Sequence, residues 1–275
     1  MLYLCATPIG NLEDITIRTL NTLKSVDLIC AEDTRHSRIL LEHYGITTPV
    51  TSYHEHNKYE KAAELVEKML EGADIACITD AGTPGISDPG EELVRQAIEA
   101  GIRVSSLPGP TALITALTMS GLPTRRFCFE AFLPFEKKDK RPILEELKRE
   151  TRTIIIYEAP HRLKKTASEL KEVLGDRRVT LCRELTKRYE ETWQTTFSGI
   201  LSEEYEPKGE YVLVIEGRSA EDMKAEEAAA WADLSVPEHV EYYMNQGFDK
   251  KEAMKRAAAD RNVTKRDIYR EMLEQ

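Results

Sequence analysis

Short apolar runs alternate with amphipathic stretches through the first 120 residues, and this alternation restricts the fold more than any other feature. The runs LYLCAT, VDLICAE, DIACIT and IRVSSLP predict strands. Helical spacing of apolar residues predicts helices between them, for example over KYEKAAELVEKMLEG, which ends at Gly72. We also expect helices over 12–24 and 37–44. Such alternation predicts a parallel sheet with helices on both faces.

The pattern changes near Phe127. Strands are predicted for FCFEAFLP, TIIIYEA, RVTLCREL and GEYVLVIEG, with helices over 142–150 and 162–175. The charged stretch before the first of these helices, FEKKDKR, is expected to be a loop. The segment YEETWQTTFSGIL predicts one more strand followed by a helix. Strands that do not all alternate with helices favour a mixed sheet in a second α/β domain.

The remaining chain predicts a linker and a helical unit. The Ala/Glu-rich segment over 218–234 is typical of a linker or a solvated helix, and the tail predicts three short helices broken at Gly247 and near Asn262. The predicted organisation is an α/β domain over 1–120, a second α/β domain over 121–217, the linker, and a helix-turn-helix-like unit over 235–275.

Composition excludes several classes of protein. The 275 residues are 41% hydrophobic and 31% charged, which is enough apolar material for substantial cores. A net charge of −10 argues against binding nucleic acid through the whole surface, so RNA would require a local basic face. Five scattered cysteines without a CxxC pair favour reduced thiols, and no apolar run reaches membrane-spanning length. We therefore expect a cytoplasmic protein without a membrane partner.

Three glycine- and proline-rich bends follow predicted strands. They are TPIGN (7–11), DAGTPGISDPG (80–90) and LPGPTA (107–112). Glycine permits positive φ and close approach of the main chain to a ligand, and strand-to-helix loops of a parallel sheet face the ligand crevice. Three such bends on one sheet edge favour a binding site over ordinary connections. None matches GxGxxG or GxxxxGK[ST], so the dinucleotide and P-loop nucleotide sites are not predicted.

Seven motifs together resemble the tetrapyrrole-methylase superfamily. They are ATPIGNLEDIT, AEDTR, YHEHN, DAGTPGISDPG, PGPTA, YEAPHRL and RELTK, and they run in unbroken order over about 2–217. The residues in these motifs are similar to those of the ribosomal branch, the 16S ribosomal RNA cytidine-2′-O-methyltransferases. The motifs YHEHN and RELTK are not shared with the tetrapyrrole enzymes. The resemblance implies S-adenosylmethionine in a cleft between two α/β domains, a homodimer, and a decoding-region cytidine of the 30S subunit as the target.

The resemblance also implies the residues that contact the cofactor. Asp80, Gly82 and Gly85 belong to the bend that is similar to the main cofactor loop of the superfamily. A carboxylate near a cationic sulfonium, with exposed N–H groups for the carboxyl end of the ligand, is reasonable chemistry. The other implied contacts are Pro8, Thr111, Ala112, Glu158 and Leu185.

Transfer to a ribose hydroxyl depends on placing the oxygen and on removing its proton as the bond forms. Asp33 aligns with the proposed proton acceptor of the superfamily, and Arg35 is expected to bind a phosphate or orient that carboxylate. The alternative for Asp33 is an N-cap for a helix that begins at Thr34. Glu184 and Lys187, an acid–base pair in RELTK, are rival catalytic candidates.

A metal site is not predicted, whereas basic RNA contacts are. His54 and His56 would share one face of a strand, but no third ligand lies near them in sequence. The tail from Asp249 carries eight Lys/Arg against six Asp/Glu, while 218–248 carries two against seven. Packing or a dimer contact is the alternative use of this tail. The candidate RNA contacts are Arg35, Lys137, Lys138, Arg162, Lys255, Arg256, Lys265 and Arg266.

Two other functions stay open from the sequence. One is a small-molecule methyltransferase of the tetrapyrrole type, and the other is a non-catalytic ribosome-assembly protein. Methyl transfer to undermethylated 30S subunits, and not to uroporphyrinogen, distinguishes the main interpretation from both.

Overall fold

The computed structural model describes residues 1–204, 207–219, 222–223, 231 and 234–273. The chain forms two compact units: unit 1 comprises Met1–Leu144 and Thr153–Glu216, and unit 2 comprises Glu145–Arg152 and Gly217–Gln275. Over the described residues, no helix combines the length and the apolar character that crossing a membrane requires.

The first sheet of unit 1 has five parallel strands in the order β3-β2-β4-β1-β5. The strands are β1 (Leu2–Cys5), β2 (Leu28–Ala31), β3 (Val50–Ser52), β4 (Ile75–Ile78) and β5 (Val104–Leu107). Four of them were predicted. The edge strand β3 was missed because its three residues, VTS, form no apolar run that a pattern could detect.

Helices cover both faces of this sheet, as the alternation predicted. They are α1 (Ile17–Ser25) and α2 (Thr34–His43) on one face, and α3 (Lys58–Leu70) and α4 (Gly90–Glu99) on the other. The next helix, α5 (Ala112–Met119), packs instead against residues of the second sheet, which is described below. The predicted start at Leu12 was wrong for α1: Leu12–Asp14 is a 3-10 turn, and Thr16 caps α1 by accepting a hydrogen bond from the Thr19 N–H. Helix α2 begins before the predicted Ser37 because Asp33 caps it.

The central strand β4 shows why the sheet is stable. All four of its residues are buried, and successive side chains point to opposite faces. Cys77 packs in a core with Leu65 and Leu93, whereas Ala76 and Ile78 belong to a second core on the opposite face. This burial on both faces confirms the predicted parallel sheet with helices on both of its faces.

The second sheet of unit 1 is mixed, as predicted. Its order is β6-β7-β10-β8-β9, with β6 and β7 parallel and the other pairs antiparallel. The strands are β6 (Phe127–Phe132), β7 (Thr153–Glu158), β8 (Arg178–Arg183), β9 (Glu191–Thr196) and β10 (Tyr211–Ile215). Its helices are α6 (Lys137–Arg149), α7 (Leu163–Leu174) and α8 (Phe197–Ser202).

Helix α6 begins earlier than the sequence predicted. Proline favours the first turn of a helix, so Pro142 indicated the start. In the structure the helix begins at Lys137, and the KKDKR stretch is helical rather than a loop. The earlier start places Lys137 and Lys138, both exposed, in the first turn of the helix.

Unit 2 contains the three predicted tail helices, α9 (Val236–Asn245), α10 (Lys250–Asp260) and α11 (Lys265–Leu273). They pack around a core of their own that includes Val240, Met254 and Ile268. The chain breaks at Gly247 and Asn262, both with positive φ, as predicted. Most of the linker predicted over 218–234 lies outside the described residues.

Candidate active site

A cavity of about 640 Å³ lies within unit 1, between the carboxyl edge of the first sheet and residues of the second sheet. This volume is in the range of small-molecule sites, about 300–1,000 Å³. Loops after β1, β2, β4 and β5 contribute one side of the lining. From the first sheet the lining includes Ile9, Glu32, residues 79–83 and 86–88, Thr111 and Ala112; from the second it includes Phe132, residues 157–161, Leu185 and residues 210–212.

The three glycine-rich bends are tied together at this edge. Thr7 N–H donates to Gly82 O at 2.9 Å, and Gly82 N–H donates to Thr7 O at 3.0 Å. Gly82 has φ +85°, and a Cβ there would stand 3.3 Å from Cγ2 of Ile9, so glycine suits both the turn and the space. The Oγ1 atoms of Thr83 and Thr111 lie 2.6 Å apart. The bends therefore form one continuous surface.

Asp88 fixes the shape of the loop over 79–88. Its carboxylate accepts hydrogen bonds from the N–H groups of Gly85 (3.0 and 2.9 Å), Ile86 (3.0 Å) and Gly90 (2.7 Å). Gly85 has φ +83°, a conformation that other residues rarely adopt. Gly85 and Pro8 lie beside the cavity rather than in its described lining. Their part in a cofactor site would be to shape the bends.

Asp80 lines the cavity, and its carboxylate is exposed toward it. Oδ1 of Asp80 accepts a hydrogen bond of 3.2 Å from the backbone N–H of Asp33. This contact joins the segments after β2 and β4, as expected for neighbouring strands of a parallel sheet. A carboxylate side chain at this position is a suitable partner for a cationic ligand.

Asp33 is the N-cap of α2. Its Oδ1 accepts the Arg35 N–H at 2.8 Å, and its Oδ2 lies 2.9 Å from the Arg35 guanidinium. These side-chain and backbone hydrogen bonds from Arg35 lower the pKa of the Asp33 carboxyl to about 2. A carboxylate with such a low pKa is a weak proton acceptor. The geometry supports the capping interpretation of Asp33 and gives no support to the catalytic one.

Glu158 lines the cavity, but its carboxylate is buried and already has hydrogen-bond and ion-pair partners. Its side chain is fully buried, accepts hydrogen bonds from Thr166 Oγ1 (2.5 Å) and Ala159 N–H (2.9 Å), and lies 3.3 Å from Nε of Arg162. Arg162 in turn donates to Leu133 O at 2.7 Å. Because its guanidinium is buried and paired, we do not retain Arg162 among the proposed RNA contacts.

Glu184 and Lys187 form the predicted pair, with 2.9 Å between Oε1 and Nζ. Lys187 also lies 3.1 Å from the Glu210 carboxylate. Burial opposes ionisation of Glu184, but hydrogen bonds from Lys187 and from the Glu210 N–H outweigh it, so the pKa of Glu184 is lowered. A Cβ on Gly10 would stand 2.4 Å from Cγ of Lys187. The segment over 185–187 therefore packs directly on Gly10 of the first bend.

Sequence reasoning missed several residues of the lining. Glu32 is the most informative, because it lies in AEDTR next to the residue that was chosen. Tyr157 also lines the cavity; its hydroxyl accepts a hydrogen bond from Leu113 N–H at 3.0 Å, and burial raises its pKa to about 12. Glu210 lies outside the seven family motifs, in the segment GEYVLVIEG, whose pattern predicted only a strand.

The predicted basic residues occur in both units. In unit 1, Arg35 is 91% exposed but paired with Asp33, and Lys137 and Lys138 are exposed on α6. In unit 2, α10 and α11 carry the others. Lys255 and Arg256 both lie near Glu252, at 3.5 and 3.6 Å, whereas Lys265 and Arg266 are exposed.

The histidines of YHEHN do not lie on a strand, contrary to the prediction. Strand β3 ends at Ser52, and His54 and His56 belong to the following turn, with ring centroids 6.0 Å apart. Across the described residues, no group of three or more His, Cys, Asp or Glu side chains has an arrangement that could hold a metal ion.

Comparisons with known proteins agree with this geometry. The model of the family described as Tetrapyrrole (Corrin/Porphyrin) Methylases matches residues 1–201. The chain is 51% identical over 270 residues to Ribosomal RNA small subunit methyltransferase I of Halalkalibacterium halodurans, covering 98% of this chain and 93% of that protein. Its identity to the Bacillus subtilis protein of the same name is 49% over 271 residues, covering 98% and 92%.

The fold is also found among solved structures. Uroporphyrin-III C-methyl transferase from Thermus thermophilus, in complex with S-adenyl homocysteine, has a TM-score of 0.57 and 18% identity, covering 78% of this chain and 96% of that one. This likeness confirms the predicted fold class. With the family model matched over most of unit 1, the chain belongs to the tetrapyrrole (corrin/porphyrin) methylase family.

Proposed function

We propose that the protein transfers the methyl group of S-adenosylmethionine to the 16S RNA of the small ribosomal subunit. The acceptor in this proposal is the 2′-oxygen of a cytidine in the decoding region. The observation that carries it is the cavity at which the three tied bends meet the second sheet. The relatives named for ribosomal RNA match nearly the whole chain, which supports RNA over a tetrapyrrole as the acceptor.

The cavity has the size and chemistry that the cofactor requires. S-adenosylmethionine supplies a methyl group already activated on a cationic sulfonium. Asp80 offers an exposed carboxylate to a cation, and Gly82, Thr111 and Ala112 bring backbone close to the same space. Leu185 would cover the ligand from the second sheet, while buried Glu158 would keep that side rigid.

The RNA would be held by exposed cations that have no buried partner. In unit 1 we assign this role to Lys137 and Lys138, with Arg35 as a further contact. In unit 2 we assign it to Lys255, Arg256, Lys265 and Arg266, which lie on α10 and α11. Such phosphate contacts supply affinity without sequence selectivity, so the choice of nucleotide would come from the cavity.

We further propose that a homodimer acts on the assembled 30S subunit in the cytoplasm, without a membrane partner. Ile17 and Ile39 support the dimer, because their side chains on α1 and α2 are 77% and 71% exposed. A contiguous exposed apolar patch marks a contact between proteins, so in this proposal the two side chains belong to one such patch.

The experiment is transfer of labelled methyl from S-adenosylmethionine to three acceptors: 30S subunits that lack the modification, naked 16S RNA, and uroporphyrinogen. We expect label at one cytidine ribose of the 30S subunit. A 2′-O-methyl group blocks alkaline cleavage at that nucleotide, which maps the site. Label in uroporphyrinogen, or no label in any acceptor, would contradict the proposed function.

A further inference from the structure

Five carboxylate side chains line the cavity, and they differ in what they are bonded to. Four have partners described above: backbone N–H groups for two of them, and cationic side chains for the other two. Glu32 alone has neither a hydrogen bond nor an ion pair within the described part of the chain. The five are Glu32, Asp80, Asp88, Glu158 and Glu210.

The surroundings of Glu32 favour its neutral form. Glu32 follows β2 directly and is half-buried. Burial raises the pKa of its carboxyl, and the negative charges of Asp80, Asp88 and Glu55 raise it further, while His54 acts in the opposite direction. These neighbours come from the loop after β4 and the turn after β3. A carboxylate in such surroundings is a better proton acceptor than an exposed one.

We propose that Glu32 is the catalytic proton acceptor for the ribose hydroxyl. The inference rests on the proposed function, because it requires a ribose 2′-hydroxyl in the cavity. The 2′-oxygen forms its bond to the methyl carbon as the sulfur–methyl bond breaks, and the sulfur keeps the electron pair of that bond. The hydroxyl proton passes to a carboxylate oxygen of Glu32, which leaves a neutral thioether, a ribose methyl ether and a protonated Glu32.

Position and bonding distinguish Glu32 from its rivals. Asp33 is bonded to Arg35 and is not part of the described lining, and Glu184 and Lys187 are bonded to each other. Asp33 and Glu184 would each have to give up an ion pair before accepting a proton, and Lys187, as an ammonium, would first have to lose a proton. Glu32 has no such bond to break.

The test is Glu32→Gln, which keeps the shape of the side chain and removes the base. We expect the single-turnover rate on 30S subunits to fall by about 10²–10⁴-fold, the usual cost of losing a general base. The affinity for S-adenosylmethionine, measured by calorimetry, should change by less than about threefold, since a general base acts on the acceptor. The circular-dichroism melt checks that the variant is folded.

The dependence of the single-turnover rate on pH is a second measurement. It would not change on substitution of Glu32 if the residue were only structural. The wild-type single-turnover rate should fall as pH falls through the pKa of Glu32, and Glu32→Gln should lack this limb. Independently of activity, the carboxyl resonance that is absent from ¹³C-glutamate spectra of Glu32→Gln should titrate above the ordinary glutamate range in the wild type. If Glu32→Gln is unstable, Glu32→Asp assigns the resonance in its place, because it also removes the glutamate carboxyl. A partial rate for Glu32→Asp then supports the inference.

Glu55→Gln is the matched control. It makes the same chemical change near Glu32, but Glu55 is exposed, pairs with Lys58 at 2.5 Å and lies outside the described lining. Its rate should stay near the wild-type value.

Three outcomes would overturn the inference. A wild-type rate for Glu32→Gln is one, and a Glu32 carboxyl that titrates at or below the ordinary range is another. Loss of cofactor affinity that accounts for the whole loss of rate is the third, because it would make Glu32 a cofactor contact. In all three the wild type still methylates the ribose, so the proposed function would stand. A wild type that methylates no ribose would overturn both.

Discussion

Glu32 and Asp33 are neighbours in sequence, yet their carboxylates have opposite environments. Asp33 turns to the first turn of α2, where Arg35 stabilises its charge, and Glu32 faces the cavity among other acidic groups. The motif AEDTR contains both residues and cannot say which one faces the ligand. Only the direction in which the chain leaves β2 decides it.

The substitution Asp33→Asn tests whether Asp33 only caps α2 and takes no part in the chemistry. Asparagine caps helices as well as aspartate does, and an exposed ion pair such as Asp33–Arg35 contributes little to stability. We therefore expect the melting temperature and the single-turnover rate to stay near wild type. Because the pKa of Asp33 is about 2, its charge does not change near neutral pH, and the pH–rate profile should keep its shape.

The opposite result would assign the proton acceptor to Asp33. A fall in rate of about 10²-fold or more, with intact cofactor affinity, has the size expected for a lost base. Single-turnover kinetics and calorimetry on the same preparation separate these outcomes.

At the scale of elements, most strands and helices could be predicted, because apolar runs and helical spacing are visible in short stretches of sequence. Strand β4 was predictable because four consecutive apolar residues fill a position buried on both faces. Strand β3 and the first turn of α6 were not, since β3 has no apolar run and proline can follow a turn that is already helical.

The site likewise has parts that local sequence predicts and parts that it does not. Glycine and proline mark the bends in the sequence, and a parallel sheet gathers its strand-to-helix loops at one edge. Six of the eight implied cofactor contacts line the cavity: Asp80, Gly82, Thr111, Ala112, Glu158 and Leu185. The ion pair of Lys187 with Glu210 joins side chains 23 residues apart, which only the folded chain brings together.

Helix α9 carries a buried histidine, and we expect it to make the stability of unit 2 depend on pH. The His239 ring is fully buried and stacks on Trp231, with 3.9 Å between ring centroids. Arg261 Nε donates to Nδ1 of His239 at 3.0 Å, so Nδ1 has no proton and Nε2 donates to Asp260 at 3.1 Å. Burial first, and then the charge of Arg261, lower the pKa of His239.

The direction of the pH effect follows from this lowered pKa. Below the ordinary histidine pKa of about 6.5 the unfolded chain binds a proton that the folded chain excludes, so stability falls as pH falls. We expect the thermal transition of unit 2 to occur at a lower temperature at about pH 5.5 than at about pH 7.5. Thermal melts of the full chain followed by circular dichroism measure it.

Two variants check this assignment. His239→Gln should lower stability at every pH but remove most of the pH-dependent part. The matched control His43→Gln changes an exposed histidine and should keep the wild-type dependence. A wild-type pH dependence in His239→Gln would contradict the assignment.

At the scale of the whole molecule, an acidic protein has to present positive charge locally in order to bind RNA. The net charge is −10, so only local basic faces can serve. Lys255 and Lys265 are exposed on two helices of unit 2, and neither is in a buried ion pair. We propose that they bind the subunit and take no part in the chemistry in unit 1.

Reversal of these two charges tests that role. Lys255→Glu with Lys265→Glu should weaken binding to 30S subunits and flatten its dependence on salt, because fewer phosphate contacts release fewer counterions. The affinity for S-adenosylmethionine should not change. The control with the same charge change is Lys24→Glu with Lys68→Glu, on α1 and α3 of unit 1. Unchanged binding and salt slope in the unit 2 variant would make its helices structural only.

The central claim is that the cavity beside the loop over 79–88 holds the cofactor, and calorimetry of S-adenosylmethionine with Asp80 variants tests it most directly. Asp80→Asn is the matched control, because it keeps an oxygen that can accept the Asp33 N–H but removes the charge. We predict that Asp80→Ala weakens binding by at least about tenfold, the effect of losing one charge-assisted hydrogen bond, with a nearly unchanged melting temperature. Wild-type affinity in Asp80→Ala would contradict the claim.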